Sequence, residues 1–330
     1  MLFGKKDDLI EKDYLLKVKG SLWGFIVGDA LGIPCEFKDR DYLKKHQVFD
    51  MEEYGSHYQP KGTWSDDSSM IIATIDSLIK NNNEINYVDI MQNFLHWKTK
   101  GDFTPFGRMF DIGNATSNAL NDYQIKVNQG KIDDFKCGSE SVSSNGNGSL
   151  MRILPIAIYL YQKQISYTTN EYYEIITNIS SMTHAHKYSI LGCYIYSVFV
   201  NELLRCNDRR EAYAKVQKVC SKIQIDDITI YNNIITQDIS KLKEKSIKSS
   251  GYVVDTLEAV MWCFLTTNNY KDAVLKAVNL GDDTDTIAAL VGGLAGLYYG
   301  FNSIPKEWIK NLQKNDYLDN LINCYCSFYN

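Results

Sequence analysis

The chain has 330 residues, of which 45% are hydrophobic and 23% charged, and this composition is typical of a globular protein with a large core. The formal net charge is −5 and the lysines are spread along the sequence, which argues against a nucleic-acid-binding patch. The longest nearly apolar run, residues 287–299, is too short to cross a bilayer.

The N-terminal residues and the distribution of cysteines predict the cellular compartment of the protein. Residues 1–13 are charged and lack an apolar h-region, so we expect no signal peptide. The eight cysteines are scattered, mostly in apolar helical contexts, and Cys324 and Cys326 lack the usual spacing of a zinc site. We therefore expect reduced thiols in a cytoplasmic protein that does not bind membranes.

Apolar residues recur mostly with the 3.6-residue period of an α-helix, and no convincing strand pair is present. Because no linker rich in proline, glycine or serine divides the chain, we expect one all-α domain over residues 1–330, with a core at about 12–325. The predicted helices are 12–31, 70–79, 86–99, 115–122, 168–181, 187–204, two or three within 208–248, 255–266, 270–279, one starting near 283, and helices within 305–325.

Two of the predicted helices begin with acidic clusters. Ser65, Asp66 and Asp67 precede the apolar run 70–79, and residues 282–286 precede the apolar run 287–299. One acid suffices to cap a helix, whereas several acids beside a buried helix repel one another unless a cation lies between them. Hard cations prefer carboxylate and hydroxyl oxygens. Two such clusters in one chain therefore predict a shared binuclear metal site.

The helix that follows the second cluster carries small residues along one face. Ala288, Gly292 and Gly296 recur every fourth residue and so lie on the same side of the helix. This spacing predicts that a second helix packs closely against it.

The positions of two further carboxylates, Glu36 and Asp111, can each be interpreted in two ways. Glu36 follows the helix break at Pro34, so it is either exposed or aimed back at a pocket by the turn. Asp111 lies just before Gly113 and Asn114, where it is either a helix N-cap or a group facing the metal pocket.

The loop at residues 143–149 contains two glycines and is expected to enter a helix that includes residues 150–153. Such a loop can present backbone N–H groups and a helix N-terminus to phosphate, although a simple linker is the commoner use of this composition. The absence of a Gly-Lys-Ser/Thr ending excludes a nucleotide-hydrolysing P-loop. His184 and His186 are two residues apart at a helix start and point in different directions, so they are not expected to share a metal.

Taken in order, these segments resemble the ADP-ribosylglycohydrolase family, in particular the branch of dinitrogenase reductase-activating glycohydrolase. The resemblance extends from about residue 17 to 310, and it implies a single compact orthogonal bundle of helices. The segments that carry it are Gly28-Asp29-Ala30-Leu31-Gly32 with Glu36, Trp64-Ser65-Asp66-Asp67-Ser68, Asp111-Ile112-Gly113-Asn114, Asn147-Gly148-Ser149-Leu150-Met151-Arg152 with Pro155, Thr183-His184, Gly251-Tyr252-Val253-Val254, and Gly281-Asp282-Asp283-Thr284-Asp285-Thr286.

The resemblance also implies roles for individual residues. Asp111 and Glu36 are the implied catalytic residues, and either could take the proton of the attacking water. The implied ligands of two divalent cations, Mg²⁺ or Mn²⁺, are Ser65, Asp66, Asp67, Asp283, Asp285 and Thr286. The implied ADP-ribose-binding residues are Gly113, Asn114, Gly146, Asn147, Gly148, Ser149, Met151, His184 and Tyr252.

The implied activity is metal-dependent hydrolysis at C1″ of ADP-ribose, releasing it from an ADP-ribosylated protein or a small conjugate, with ADP-ribosyl-arginine as the favoured substrate. The alternatives are ADP-ribosyl-serine or O-acetyl-ADP-ribose as substrate, a metal-dependent phosphohydrolase, and a non-catalytic ADP-ribose-binding or immunity protein. The sequence departs from the family pattern at Asp282, expected to add charge near the metals, and at Ala115, which removes a hydroxyl near the substrate.

Overall fold

The structure, a computed structural model, describes residues 4–223 and 228–329, and within these ranges it contains helices and turns but no β-strand. The expected all-α fold is thus confirmed. The helices are α1 Gly4–Gly32, α2 Arg40–Lys45, α3 Asp66–Lys80, α4 Tyr87–Lys100, α5 Asn114–Asn128, α6 Leu154–Gln162, α7 Asn170–Ser181, α8 Lys187–Arg205, α9 Arg209–Cys220, α10 Asn232–Ile235, α11 Val253–Leu265, α12 Tyr270–Val278, α13 Thr284–Tyr299, α14 Lys306–Asn311 and α15 Asn315–Cys326.

Helices α1 and α13 pack antiparallel at the centre of the core, with their backbones in contact. A Cβ atom added to Gly24 would overlap the carbonyl of Gly292, and one added to Gly28 would overlap the carbonyl of Ala288. The prediction of a close helix partner for the small-residue face of α13 is therefore confirmed. The antiparallel direction also places the end of α1 beside the acidic start of α13, which is what positions the site.

The remaining helices surround this pair. Buried apolar side chains from α1, α3, α4, α6, α8, α11, α12 and α13 belong to one continuous hydrophobic cluster. No helix within the described ranges has the length and apolar character needed to cross a membrane.

Several helix boundaries differ from those expected. Helix α5 runs on to Asn128 rather than ending at 122, because Tyr123 is fully buried and gives the added turn a core contact. Helix α6 begins at Leu154, with a proline in its first turn, so residues 150–153 form turns rather than the expected helix start. Within 208–248 the structure has α9, the short α10 and single 3₁₀ turns, while residues 224–227 lie outside the described ranges.

Candidate active site and metal centre

The starts of α3 and α13 meet, although they are more than 200 residues apart in sequence. Ser65 caps α3, because its Oγ accepts a hydrogen bond from the Asp67 N–H at 3.3 Å. The Thr286 hydroxyl of α13 donates to Asp67 Oδ2 at 3.3 Å, which joins the two clusters directly. Asp283 stands at the N-cap position of α13 but makes no capping hydrogen bond, so capping does not account for this second cluster.

The carboxylates form two adjacent groups that share one member. Asp29, Asp67 and Asp285 each offer an oxygen within 4.8 Å of the others, and so do Glu36, Asp283 and Asp285. Because Asp285 belongs to both groups, the arrangement provides two neighbouring positions for cations.

Asp29 is a member of the site to which the sequence analysis assigned no role. It is fully buried near the end of α1, and its carboxylate accepts hydrogen bonds from the N–H and hydroxyl groups of both Ser65 and Ser68, at 2.5 to 3.1 Å. Its position in an apolar helical stretch, between Gly28 and Gly32, could have identified it. Asp29 thus fixes the start of α3 against α1.

Burial and mutual repulsion oppose the ionisation of these acids. Burial, with repulsion from neighbouring carboxylates, raises the pKa of Asp66, Asp67 and Asp285 well above the usual range. Asp67 Oδ1 is buried and has no hydrogen-bond partner within the described ranges. Divalent cations would neutralise these charges and provide that oxygen with a partner, and the donors are all oxygens, which Mg²⁺ and Mn²⁺ prefer. The residues present therefore fit such a centre.

Glu36 is aimed into the site rather than exposed. The loop after the helix break folds back on it, because Gly55 packs on the backbone of Pro34 and the Ser56 hydroxyl donates to the Glu36 carbonyl at 2.5 Å. His57, from the same loop, is hydrogen-bonded to the Glu36 carboxylate. Burial raises the pKa of Glu36 to about 7, and the hydrogen bond to Glu36 raises the pKa of His57.

His57 was missed by the sequence analysis, since nothing in the polar segment 38–61 distinguishes it. It forms a third group with Glu36 and Asp111, whose ligating atoms lie within 4.8 Å of one another. Asp111 does not cap α5, because Gly113 occupies the N-cap position. Of the two readings left open for Asp111, the structure thus supports the one in which it faces the pocket.

A cavity of about 600 Å³ opens above the carboxylates. Five predicted site residues are absent from the lining of this cavity. They are Ser65, Asp67 and Asp285, which lie below its surface, and Ser149 and Tyr252. Ser149 is fully buried and accepts a hydrogen bond from Ser180 Oγ, so it has no direct access to a ligand in the cavity. The predicted site residues that do line the cavity are Glu36, Asp66, Asp111, Gly113, Asn114, Gly146, Asn147, Gly148, Met151, His184, Asp283 and Thr286.

His184 lines the cavity as a neutral ring. The buried Arg152 guanidinium donates to Thr183 Oγ1, and the Thr183 hydroxyl is also hydrogen-bonded to His184 Nδ1 at 2.8 Å. In the tautomer in which Thr183 donates to Nδ1, the ring proton is on Nε2, which lies beside Gly146. Burial, reinforced by the charge of Arg152, lowers the pKa of His184 to about 3. His186 points elsewhere and caps α8, as its spacing from His184 suggested.

The loop at 146–148 lines the cavity, but the polar groups of Asn147 are engaged within the protein. The Asn147 N–H donates to the Gly251 carbonyl, and its side-chain amide donates to Asp283 Oδ2 at 2.5 Å. Since α6 begins only at Leu154, no helix N-terminus starts at residue 150 to face a phosphate. Asn147 therefore orients Asp283, and His184 lines the same cavity.

The two departures from the family pattern have different surroundings. Asp282 is exposed, its carboxylate accepts from Ser249 Oγ at 3.2 Å, and it belongs to none of the carboxylate groups. Asp282 thus offers no ligand to these groups, and its effect on the charge near the metals stays a prediction. Ala115 lines the cavity, and the neighbouring Thr116 contributes a hydroxyl to the same wall.

Comparisons with known proteins give the relatives of this chain. A protein-family model described as ADP-ribosylglycohydrolase matches residues 11–328 of the chain. The chain is 33% identical over 312 residues to a Serratia proteamaculans protein named ADP-ribosylarginine hydrolase Tri1, covering 94% of this chain and 79% of that protein. It is 25% identical over 302 residues to the ADP-ribosyl-[dinitrogen reductase] glycohydrolase of Rhodospirillum rubrum, covering 89% of each. A solved structure, "ADP-ribosylglycohydrolase-related protein complex", has the same fold, with a TM-score of 0.78, 24% identity and coverage of 97% of this chain and 100% of that one.

Proposed function

The chain belongs to the ADP-ribosylglycohydrolase family, whose members hydrolyse glycosyl bonds, and we propose that it releases ADP-ribose from modified arginine side chains on proteins. The observation that carries this proposal is the pair of carboxylate groups joined at Asp285 below a cavity whose wall includes Asp111. The similarity to proteins named ADP-ribosylarginine hydrolase supports arginine as the acceptor.

We propose that the centre binds two divalent cations through Asp29, Ser65, Asp66, Asp67, Asp283, Asp285 and Thr286, with Glu36 close by. Bound Mg²⁺ or Mn²⁺ would polarise the ribose hydroxyls and lower the pKa of a bound water. The fit rests on the all-oxygen donor set and on the unpaired, buried Asp67 Oδ1.

Side chains of the protein carry out the proton transfers. Water attacks C1″ as the bond from C1″ to the guanidine nitrogen breaks, through an oxocarbenium-like state. Glu36 takes a proton from the water, and His57 holds its carboxylate in place. The guanidine leaves as the neutral base and regains a proton from Glu36.

Asp111 and His184 bind the two halves of the substrate. The Asp111 carboxylate holds the guanidinium of the acceptor through charge-assisted hydrogen bonds. His184 donates from Nε2 to the diphosphate, and because it stays neutral it does so without a change of charge at physiological pH. Both residues line the same cavity, which lets one substrate reach them together.

A release assay tests the proposal. The protein is incubated with ADP-ribose linked to arginine, to serine and to acetate, with and without EDTA. We expect free ADP-ribose from the arginine conjugate, loss of release with EDTA, and recovery with Mg²⁺ or Mn²⁺. AMP as the product would indicate a phosphohydrolase, preference for serine or acetate would reject the arginine assignment, and binding without turnover would reject catalysis.

The chain offers a matched pair of variants for this assay. Asp283→Asn removes a carboxylate from the proposed centre, whereas Asp282→Asn removes the adjacent exposed carboxylate that lies outside it. Asparagine tolerates the left-handed backbone at position 282. We expect loss of turnover in the first variant and wild-type turnover in the second.

A further inference from the structure

Phe37 is an exposed aromatic residue in the wall of the cavity. Its side chain is 73% exposed, although it directly follows the buried Glu36. Isolated exposed hydrophobic residues are common on protein surfaces, so exposure alone carries no conclusion. The backbone and the neighbours of Phe37 add two independent observations.

The backbone holds Phe37 in a conformation that a bulky residue rarely adopts. Its φ is 66°, in the left-handed region, and its N–H donates to the carbonyl of Asp282 at 2.8 Å. Asp282 has a φ of 62° and donates its own N–H to the Lys38 carbonyl at 2.8 Å. These reciprocal hydrogen bonds fix the ring at the cavity despite the strain, and such strain concentrates at functional sites.

The ring lies on the acidic side of the cavity. Its centroid is 5.7 Å from that of His57, whose ring is in turn 5.5 Å from Phe110. His57 is the residue that binds Glu36 and groups with Asp111. Phe37 and Asp111, the carboxylate to which we assign the guanidinium, therefore both lie near His57 and line the same cavity.

We infer that Phe37 determines acceptor specificity by placing its aromatic face against the guanidinium of ADP-ribosyl-arginine. An aromatic face and a carboxylate bind complementary parts of the same cation, since the plane of a guanidinium stacks on a ring while its N–H groups donate at its edge. A serine or acetate acceptor carries no cation and gains nothing from the ring. This inference rests on the proposed function, which it extends to the recognition of the acceptor.

Replacing the ring by an aliphatic side chain tests the inference. Phe37→Leu keeps an apolar side chain but removes the π-system, and Phe37→Tyr keeps the ring. We expect the KM for ADP-ribosyl-arginine to rise about tenfold in Phe37→Leu, the scale of a cation–π contact, and to return in Phe37→Tyr. The Kd for free ADP-ribose, measured by calorimetry, should be unchanged in both variants.

Phe49→Leu is the matched control, because Phe49 is 64% exposed but does not line the cavity. It should keep the wild-type KM. An unchanged KM in Phe37→Leu overturns the inference, as does an equal loss of affinity for free ADP-ribose, which would place the ring on the ADP-ribose half. If the wild-type protein itself fails to release ADP-ribose from arginine, the proposed function fails and the inference fails with it.

Discussion

Gly32 packs directly on the backbone of Asp285, so that a Cβ atom added to Gly32 would overlap the Asp285 Cα. Gly32 ends α1, and Asp285 lies in the first turn of α13 and belongs to both carboxylate groups. The hydroxyl of the neighbouring Thr284 donates to the Gly32 carbonyl at 2.8 Å. The contact between two core helices thus sets the position of the acid that joins the proposed cation sites.

Gly32→Ala should therefore disturb both stability and the site. Overpacking of a core costs about 1–3 kcal/mol, and here the obstruction is backbone that cannot rotate away. Gly24→Ala is the control, because it creates the same kind of overlap with Gly292, further along the helix pair. We expect a lower Tm in both variants but weaker Mn²⁺ binding, measured by calorimetry on folded protein, in Gly32→Ala alone. Equal Mn²⁺ affinity in the two variants would contradict this prediction.

Asp67→Asn should abolish hydrolysis without lowering the Tm of the metal-free protein. Burial raises the pKa of Asp67, which means that the ionised carboxylate destabilises the folded state when no cation is present. An amide can still accept from Thr286 through its oxygen, and it removes the charge. Thermal melts in EDTA and release assays in Mg²⁺ measure the two effects, with Asp282→Asn as the control. A clearly lower Tm would mean that Asp67 serves the fold rather than a metal.

Asp111→Ala should reduce turnover of ADP-ribosyl-arginine by about 10²-fold or more, the usual scale for a positioned acid or base. Affinity for free ADP-ribose should change little, because Asp111 is assigned to the acceptor half of the substrate. Steady-state kinetics and calorimetry measure these quantities. If Asp111→Ala leaves turnover intact while Glu36→Ala removes it, the arginine assignment is wrong, and a serine or O-acetyl substrate becomes the better one.

Acid should destabilise the protein through His184. Its pKa is lowered to about 3 in the folded state, against an ordinary value of 6.5. Between these two pH values the ring is protonated in the unfolded chain but neutral in the folded chain. The stability due to the neutral ring is complete above about pH 6.5 and is lost as the pH falls toward 3. Urea unfolding of wild type and His184→Gln at pH 7, 6 and 5 should give a shallower pH dependence for the variant. An identical pH dependence of the two unfolding free energies would show that His184 becomes protonated in the folded protein as readily as in the unfolded chain.

Local sequence was sufficient for the helices and for the two acidic helix starts. The 3.6-residue period identifies the buried face of a helix, and the Ser65-Asp66-Asp67 pattern identifies where α3 begins, because both depend on residues within a few turns. The small-residue face of α13 likewise predicted a close partner helix. The boundaries of α5 and α6 were less predictable, since Tyr123 extends α5 through a contact with the core that periodicity does not reveal.

Tertiary structure decided which further side chains join the two acidic clusters in the site. Asp29 joins the site because α1 packs against the start of α3, where the Ser68 hydroxyl donates to its carboxylate. His57 lies in a segment without a recognisable sequence pattern, and it joins the site because its loop folds back on Glu36. The Asn147 side chain lines the cavity as expected of a binding residue, but it also donates to Asp283, and Ser149 is buried beneath the cavity. These outcomes depend on which distant acceptors each donor meets and how closely the glycines let the helices approach. Packing between segments that are 21 to 136 residues apart in sequence determines these contacts.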